Sequence, residues 1–94
     1  MEYEHVEGKY KGKVVLFALS TCVWCKRTKK LLGDLGIDYS YIFVDQLDRQ
    51  SRKEVEKEVM KWNPRCSFPT LVINSDKCIV GYQEDDIKEA FGNV

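Results

Sequence analysis

The sequence predicts an α/β domain in which one mixed sheet of four strands is flanked by about three helices. Three observations predict it. Val14-Val15-Leu16-Phe17-Ala18-Leu19 is a continuous apolar run, too short for a helix and rich in strand formers, which suits a strand buried on both faces. Directly after Ser20-Thr21 the period changes. Cys25, Thr28, Leu32 and Leu35 recur at helical spacing, while Lys26, Arg27, Lys29 and Lys30 fill the other positions. Further on, Thr70-Leu71-Val72-Ile73, the turn Asn74-Ser75-Asp76-Lys77 and Cys78-Ile79-Val80 form a hairpin signal of two short strands.

In chain order, residues 1–12 mix charge, tyrosine and glycine without a period. They read as an N-terminal arm or a marginal extra strand ahead of a domain at residues 13–94. The run from Val14 is the central strand, the first helix begins at the first cysteine, and Gly36 offers its C-terminal stop. Tyr39 to Val44 reads as a second strand. Ser51-Arg52-Lys53-Glu54 has the form of a capping box opening a helix with Val55, Val59 and Trp62 on one face, and Pro64 lies just past its end. After the hairpin, a last helix carries Ile87, Ala90 and Phe91.

Composition narrows the function classes. Apolar residues make up 44% and charged ones 32%, far from a disordered composition, so the chain is expected to fold around one core. Fifteen basic and fifteen acidic side chains cancel, which gives no reason to expect nucleic acid or an anionic membrane as partner. Met1-Glu2-Tyr3-Glu4-His5 is acidic and lacks the apolar stretch of a signal peptide, and no run approaches the ~18 residues of a membrane span. A cytoplasmic protein is expected. There, four cysteines argue for catalysis, metal binding or burial rather than structural disulfides.

Cys22-Val23-Trp24-Cys25 stands where a buried strand ends and a helix starts. The first N–H groups of a helix have no internal partner and the macrodipole is positive there, so a thiolate on Cys22 is favoured and Cys22 is the expected attacker. Cys25, one helical turn on, is placed to resolve a mixed disulfide. The competing reading is half of a zinc site. It needs a second pair of ligands, and only Cys66, Cys78 and His5 are on offer, outside any second CxxC. Redox chemistry is favoured.

With these residues in view, the sequence resembles the glutaredoxins and, more broadly, the thioredoxin superfamily. Three features in order carry the likeness: the strand leading into Ser20-Thr21-Cys22-Val23-Trp24-Cys25, then Ser67-Phe68-Pro69-Thr70, then Val80-Gly81-Tyr82. The resemblance implies a thioredoxin fold, a cis Phe68-Pro69 bond facing the cysteine pair, and disulfide exchange through Cys22 and Cys25 without a cofactor or resident metal. It places Thr21 and Val23 beside the first cysteine as substrate contacts. Phe68, Pro69 and Thr70 line the opposite wall, with Gly81 close by. Trp24, an aromatic at an exposed helix start, and Tyr82 are read as flanking the same groove. The implied partners of this expected monomer are disulfide-containing substrates and a reductase or glutathione as electron donor. Another possibility is carriage of a metal or iron-sulfur cluster through Cys22.

The sequence also departs from the glutathione-dependent members. Leu19 stands where those commonly carry a lysine, and their paired glycines before the last helix are reduced to Val80-Gly81. The stretch Gly81-Tyr82-Gln83-Glu84-Asp85-Asp86-Ile87 looks more like that of redoxins recycled by thioredoxin reductase. Lys13, Lys26 and Arg27 are cations that could meet a carboxylate, although a basic helix face is more often merely solvated. Cys66 reads as an incidental loop or buried thiol, Cys78 as core and Trp62 as packing. His5 is assigned no catalytic role.

Overall fold

The structure, a computed structural model, describes residues 3–92. Its centre is β2 (Val14–Ala18), whose side chains alternate between two separate apolar clusters, so neither face can be given to water. Val14, Leu16 and Ala18 join the cluster made with α1 (Val23–Asp34) and α3 (Glu84–Ala90), through Leu31, Leu32 and Ile87. Phe17 points the other way, into a smaller cluster with Val55 and Val59 of α2 (Arg49–Trp62).

β2 pairs in parallel with β3 (Tyr39–Phe43) and antiparallel with β4 (Thr70–Ile73), which in turn pairs antiparallel with β5 (Lys77–Val80). A parallel pair needs a crossover of a dozen or so residues, and α1 supplies it. Gly36, at φ +69, ends that helix in the left-handed conformation that glycine adopts without steric cost. The expected α/β class with a mixed sheet holds.

The sheet has five strands rather than four. Glu4–Val6, assigned to the N-terminal arm, forms β1 and pairs antiparallel with β3, giving the order β1-β3-β2-β4-β5. Polar bonds hold it: His5 Nδ1 lies 3.1 Å from Ser40 Oγ, and Asp38 Oδ1 lies 3.1 Å from both His5 Nε2 and the Gly8 N–H. A three-residue strand held this way leaves no hydrophobic period to read. The second correction concerns α2. Its N-cap is Asp48, which accepts from the Ser51 N–H at 2.8 Å and the Ser51 hydroxyl at 3.1 Å, so the expected capping serine lies within the first turn. A charged carboxylate is the stronger acceptor of the two, and the Ser51 bonds hold its acid below the usual range. No helix of the described residues is long and apolar enough to cross a membrane.

The two kinds of anchoring predict different costs. Leu32→Ala, at a fully buried position, is expected to lower unfolding stability by about 2 to 5 kcal/mol. His5→Ala, at the exposed clasp of β1, is expected to cost less than about 1 kcal/mol. Urea unfolding of the two variants measures the contrast; equal losses would contradict it.

Candidate active site

The chain leaves β2 at Ala18 and turns through Leu19-Ser20-Thr21, the Cys22 N–H donating to the Leu19 carbonyl at 3.2 Å. Cys22 is the N-cap of α1. Its backbone is extended, its carbonyl accepts the first helical bond from Lys26 at 3.1 Å, and its sulfur accepts the Cys25 N–H at 3.1 Å. An otherwise unpartnered helix N–H is therefore aimed at the Cys22 sulfur. Cys22 is half-buried, whereas Cys25 is only 1% exposed and packs in the larger core. Burial, reinforced by a hydrogen bond to Cys22, pushes the Cys25 thiol up to about 12, although a backbone hydrogen bond at Leu19 works against it. At neutral pH Cys25 is a protonated thiol, and its proton must leave as it attacks.

A second loop leads into β4, whose start pairs with the end of β2 from which the chain turns to Cys22. The Phe68-Pro69 peptide is cis, as the resemblance implied; Pro69 and Thr70 are buried, and Phe68 packs against both apolar clusters. Asn63, at the end of α2 and 4% exposed, organises this loop. Its Nδ2 lies 2.9 Å from Ser67 Oγ, 3.2 Å from the Ser67 carbonyl and 3.1 Å from Thr70 Oγ1, and the Thr70 hydroxyl donates to the Ser67 carbonyl at 2.7 Å. Sequence reasoning missed Asn63. Its only signal was a position before Pro64 at a helix end, which says nothing about where the amide points.

The third segment closes the ring. The Gly81 N–H donates to the Pro69 carbonyl at 2.8 Å, and Gly81 takes φ +81, so the chain bends off β5 toward α1. Tyr82 then stacks on Trp24, ring centroids 5.8 Å apart, with the Arg27 guanidinium 4.9 Å from the Trp24 centroid. The Tyr82 hydroxyl donates to Glu84 at 3.2 Å, and Glu84 is paired with Lys88 at 2.7 Å. Val23 and Trp24 are 59% and 53% exposed, an apolar surface beside Cys22.

The structure thus links the segments carrying Trp24, Pro69, Gly81 and Tyr82 by direct contacts, while Thr21 is exposed in the turn before Cys22. Of the three cations, Arg27 is engaged on Trp24. Lys13 stands before the far end of β2, beside Tyr3 and Trp62 in a cleft against α2. Trp62 packs on the smaller cluster as expected, and Cys66 is a half-buried loop thiol beside it. Cys78 is half-buried on the edge strand rather than sealed in the core.

Fold and site together define a thioredoxin-fold domain built around a CxxC thiol pair. Residues 14–79 match the family described as Glutaredoxin, and the chain belongs to the glutaredoxin family. Its fold is similar to that of the crystallised methanoredoxin of Methanosarcina acetivorans, at 50% identity and TM-score 0.92 over 98% of this chain and 96% of that one. The glutaredoxin of Methanosarcina mazei Go1 is also 50% identical, with TM-score 0.90 over 98% of this chain and 89% of that one. An uncharacterized monothiol glutaredoxin of Caenorhabditis elegans is 32% identical over 83 residues, 87% of this chain; the chain spans 55% of that relative's length.

Two outcomes test the geometry. With iodoacetamide at about pH 7, mass spectrometry is expected to find Cys22 modified well ahead of Cys25, because Cys25 is buried and held as a protonated thiol. The reverse order would contradict the assigned roles. Asn63→Ala is expected to cost about 1 to 3 kcal/mol in urea unfolding, since it removes the buried amide that holds Ser67 and Thr70.

Proposed function

We propose that the chain, acting as a monomer, reduces disulfides by dithiol exchange, with Cys22 as nucleophile and Cys25 as resolving thiol. The observation that supports this most is the asymmetry of the pair: one half-exposed sulfur receiving a helix N–H, and one buried, protonated thiol a turn below. The Cys22 thiolate attacks one sulfur of the substrate disulfide. The S–S bond breaks, the departing sulfur takes a proton, and Cys22 is left in a mixed disulfide. Cys25 then gives up its proton and attacks the Cys22 sulfur. The substrate leaves with its second sulfur reduced, and the two electrons it gained are matched by the new Cys22–Cys25 disulfide.

Val23, Trp24 and Tyr82 form the apolar lip on which a substrate rests, and half-buried Phe68 offers the facing wall, backed by buried Pro69 and Thr70 and by Gly81 bonded to the Pro69 carbonyl. A π-face at the mouth favours polypeptide substrates with an apolar or aromatic residue near the disulfide. For the return of electrons a reductase of the thioredoxin reductase kind fits better than glutathione, because Leu19 and Val80 stand where glutathione-dependent relatives commonly carry lysine and glycine. A second reading, metal or iron-sulfur carriage through Cys22, has in its favour the outward presentation of a single sulfur. Among the described residues no three metal-ligating side chains gather at one point, so a tetrahedral site would draw ligands from a second chain or a free thiol.

Cys22→Ser is expected to abolish reduction of a protein disulfide such as that of insulin, while Cys25→Ser accumulates a mixed disulfide seen by mass spectrometry. Activity retained by Cys22→Ser would refute the proposal. NADPH with thioredoxin reductase is expected to support faster turnover than glutathione with its reductase, and the opposite ranking would move the donor to glutathione. Visible absorbance after anaerobic reconstitution with iron and sulfide, lost in Cys22→Ser, would speak for cluster carriage.

A further inference from the structure

One carboxylate is tied into the site from outside the three segments that form it. Asp45 lies in the 3-10 turn Val44–Gln46 that follows β3, and it is half-buried. Its Oδ1 accepts the Ser20 N–H at 2.8 Å and its Oδ2 accepts the Ser20 hydroxyl at 2.5 Å. Both oxygens are thus spent on one residue, two positions before Cys22. The bidentate grip fixes the turn through which the chain passes from β2 to the N-cap of α1. A turn whose main-chain N–H and side-chain O–H are both held has little freedom, and the direction in which it releases the chain sets where the Cys22 sulfur stands.

We propose that Asp45 is a positioning residue for the attacking thiol: through Ser20 it fixes the turn that carries Cys22 to the N-cap of α1. The proposal rests on the dithiol reading of the site. The Ser20 hydroxyl and N–H hold the Asp45 acid below its usual range, with Arg52 of α2 adding to this, so the carboxylate is charged at neutral pH. That charge is among the influences that raise the Cys25 thiol, after burial and the Cys22 sulfur.

Two substitutions separate the effects. Asparagine can still accept the Ser20 N–H and donate to its hydroxyl, so Asp45→Asn keeps the tether and removes the charge; Asp45→Ala removes both. The Cys22 alkylation rate of the reduced protein is followed by mass spectrometry at about pH 7 for the parent and each variant. In Asp45→Asn the Cys22 rate is expected to stay within about twofold of the parent, because the tether to Ser20 is kept. In Asp45→Ala the Cys22 rate is expected to fall severalfold, and restoration of that rate by asparagine is a result that a general loss of stability would not give. A parental Cys22 rate in Asp45→Ala overturns the proposal, as does a rate in Asp45→Asn as low as that of the alanine variant. Should the alanine variant not fold, Ser20→Ala removes one of the two bonds and gives the same reading at smaller amplitude. None of these readouts uses a disulfide substrate, so absence of disulfide reduction would count against the dithiol reading and leave the role of Asp45 standing.

Discussion

A strand buried on both faces cannot end in solvent-facing disorder, and a helix packed on one of those faces cannot start without satisfying its first N–H groups. At residues 18–25 the two requirements meet within a single turn. β2 is held between two clusters, so Ala18 is fixed; α1 is held by Leu31 and Leu32, so its first turn is fixed. The short turn between them has to deliver an acceptor to the helix start, and the acceptor is the Cys22 sulfur. The reactive atom thus stands where the backbone most needs a partner. The other site loops are arranged about that point: α2 ends on Asn63 to shape the proline loop, and β5 exits through Gly81 to bring Tyr82 over Trp24.

Burial divides two chemically identical side chains into different roles. Cys25 belongs to the apolar cluster of α1 and α3, and a charge there would have to be created beside Leu32 and Ile87 with little water to receive it. Cys22 lies at the rim with an N–H on its sulfur. Separation of an attacking from a resolving thiol therefore follows from three residues of helical spacing and from which side of the helix the core takes.

The sequence made the central strand, the start and stop of α1, the hairpin and the cysteine pair legible, because each rests on periodicity or a local signal that needs no distant partner. Val14 to Ala18 reads as buried on both faces, and it is; Gly36 reads as a helix stop, and it takes the left-handed conformation. The stacking of Tyr82 on Trp24, which ties the end of the hairpin to the start of α1, was legible only through resemblance, since nothing local says that segments more than fifty residues apart will meet. β1 could be read only as an arm or a marginal extra strand, because three residues carry no period and polar bonds to Asp38 and Ser40 hold it. Asn63 and Asp45 escaped for a related reason. An asparagine after a helix and an aspartate after a strand are ordinary surface choices until the fold folds them inward.

The lip beside the pair has a separate consequence for how such a domain can change over generations. Val23 and Trp24 sit on the solvent side of the first helical turn, outside both apolar clusters, while the residues that hold that turn in place point the opposite way. Replacing a lip residue alters what can rest at the mouth without opening a void beneath it. Partner preference and structural integrity are thus written on opposite sides of one helix. A lineage carrying this fold can drift among partners at small thermodynamic risk, and duplicated copies can diverge in clientele while keeping one scaffold.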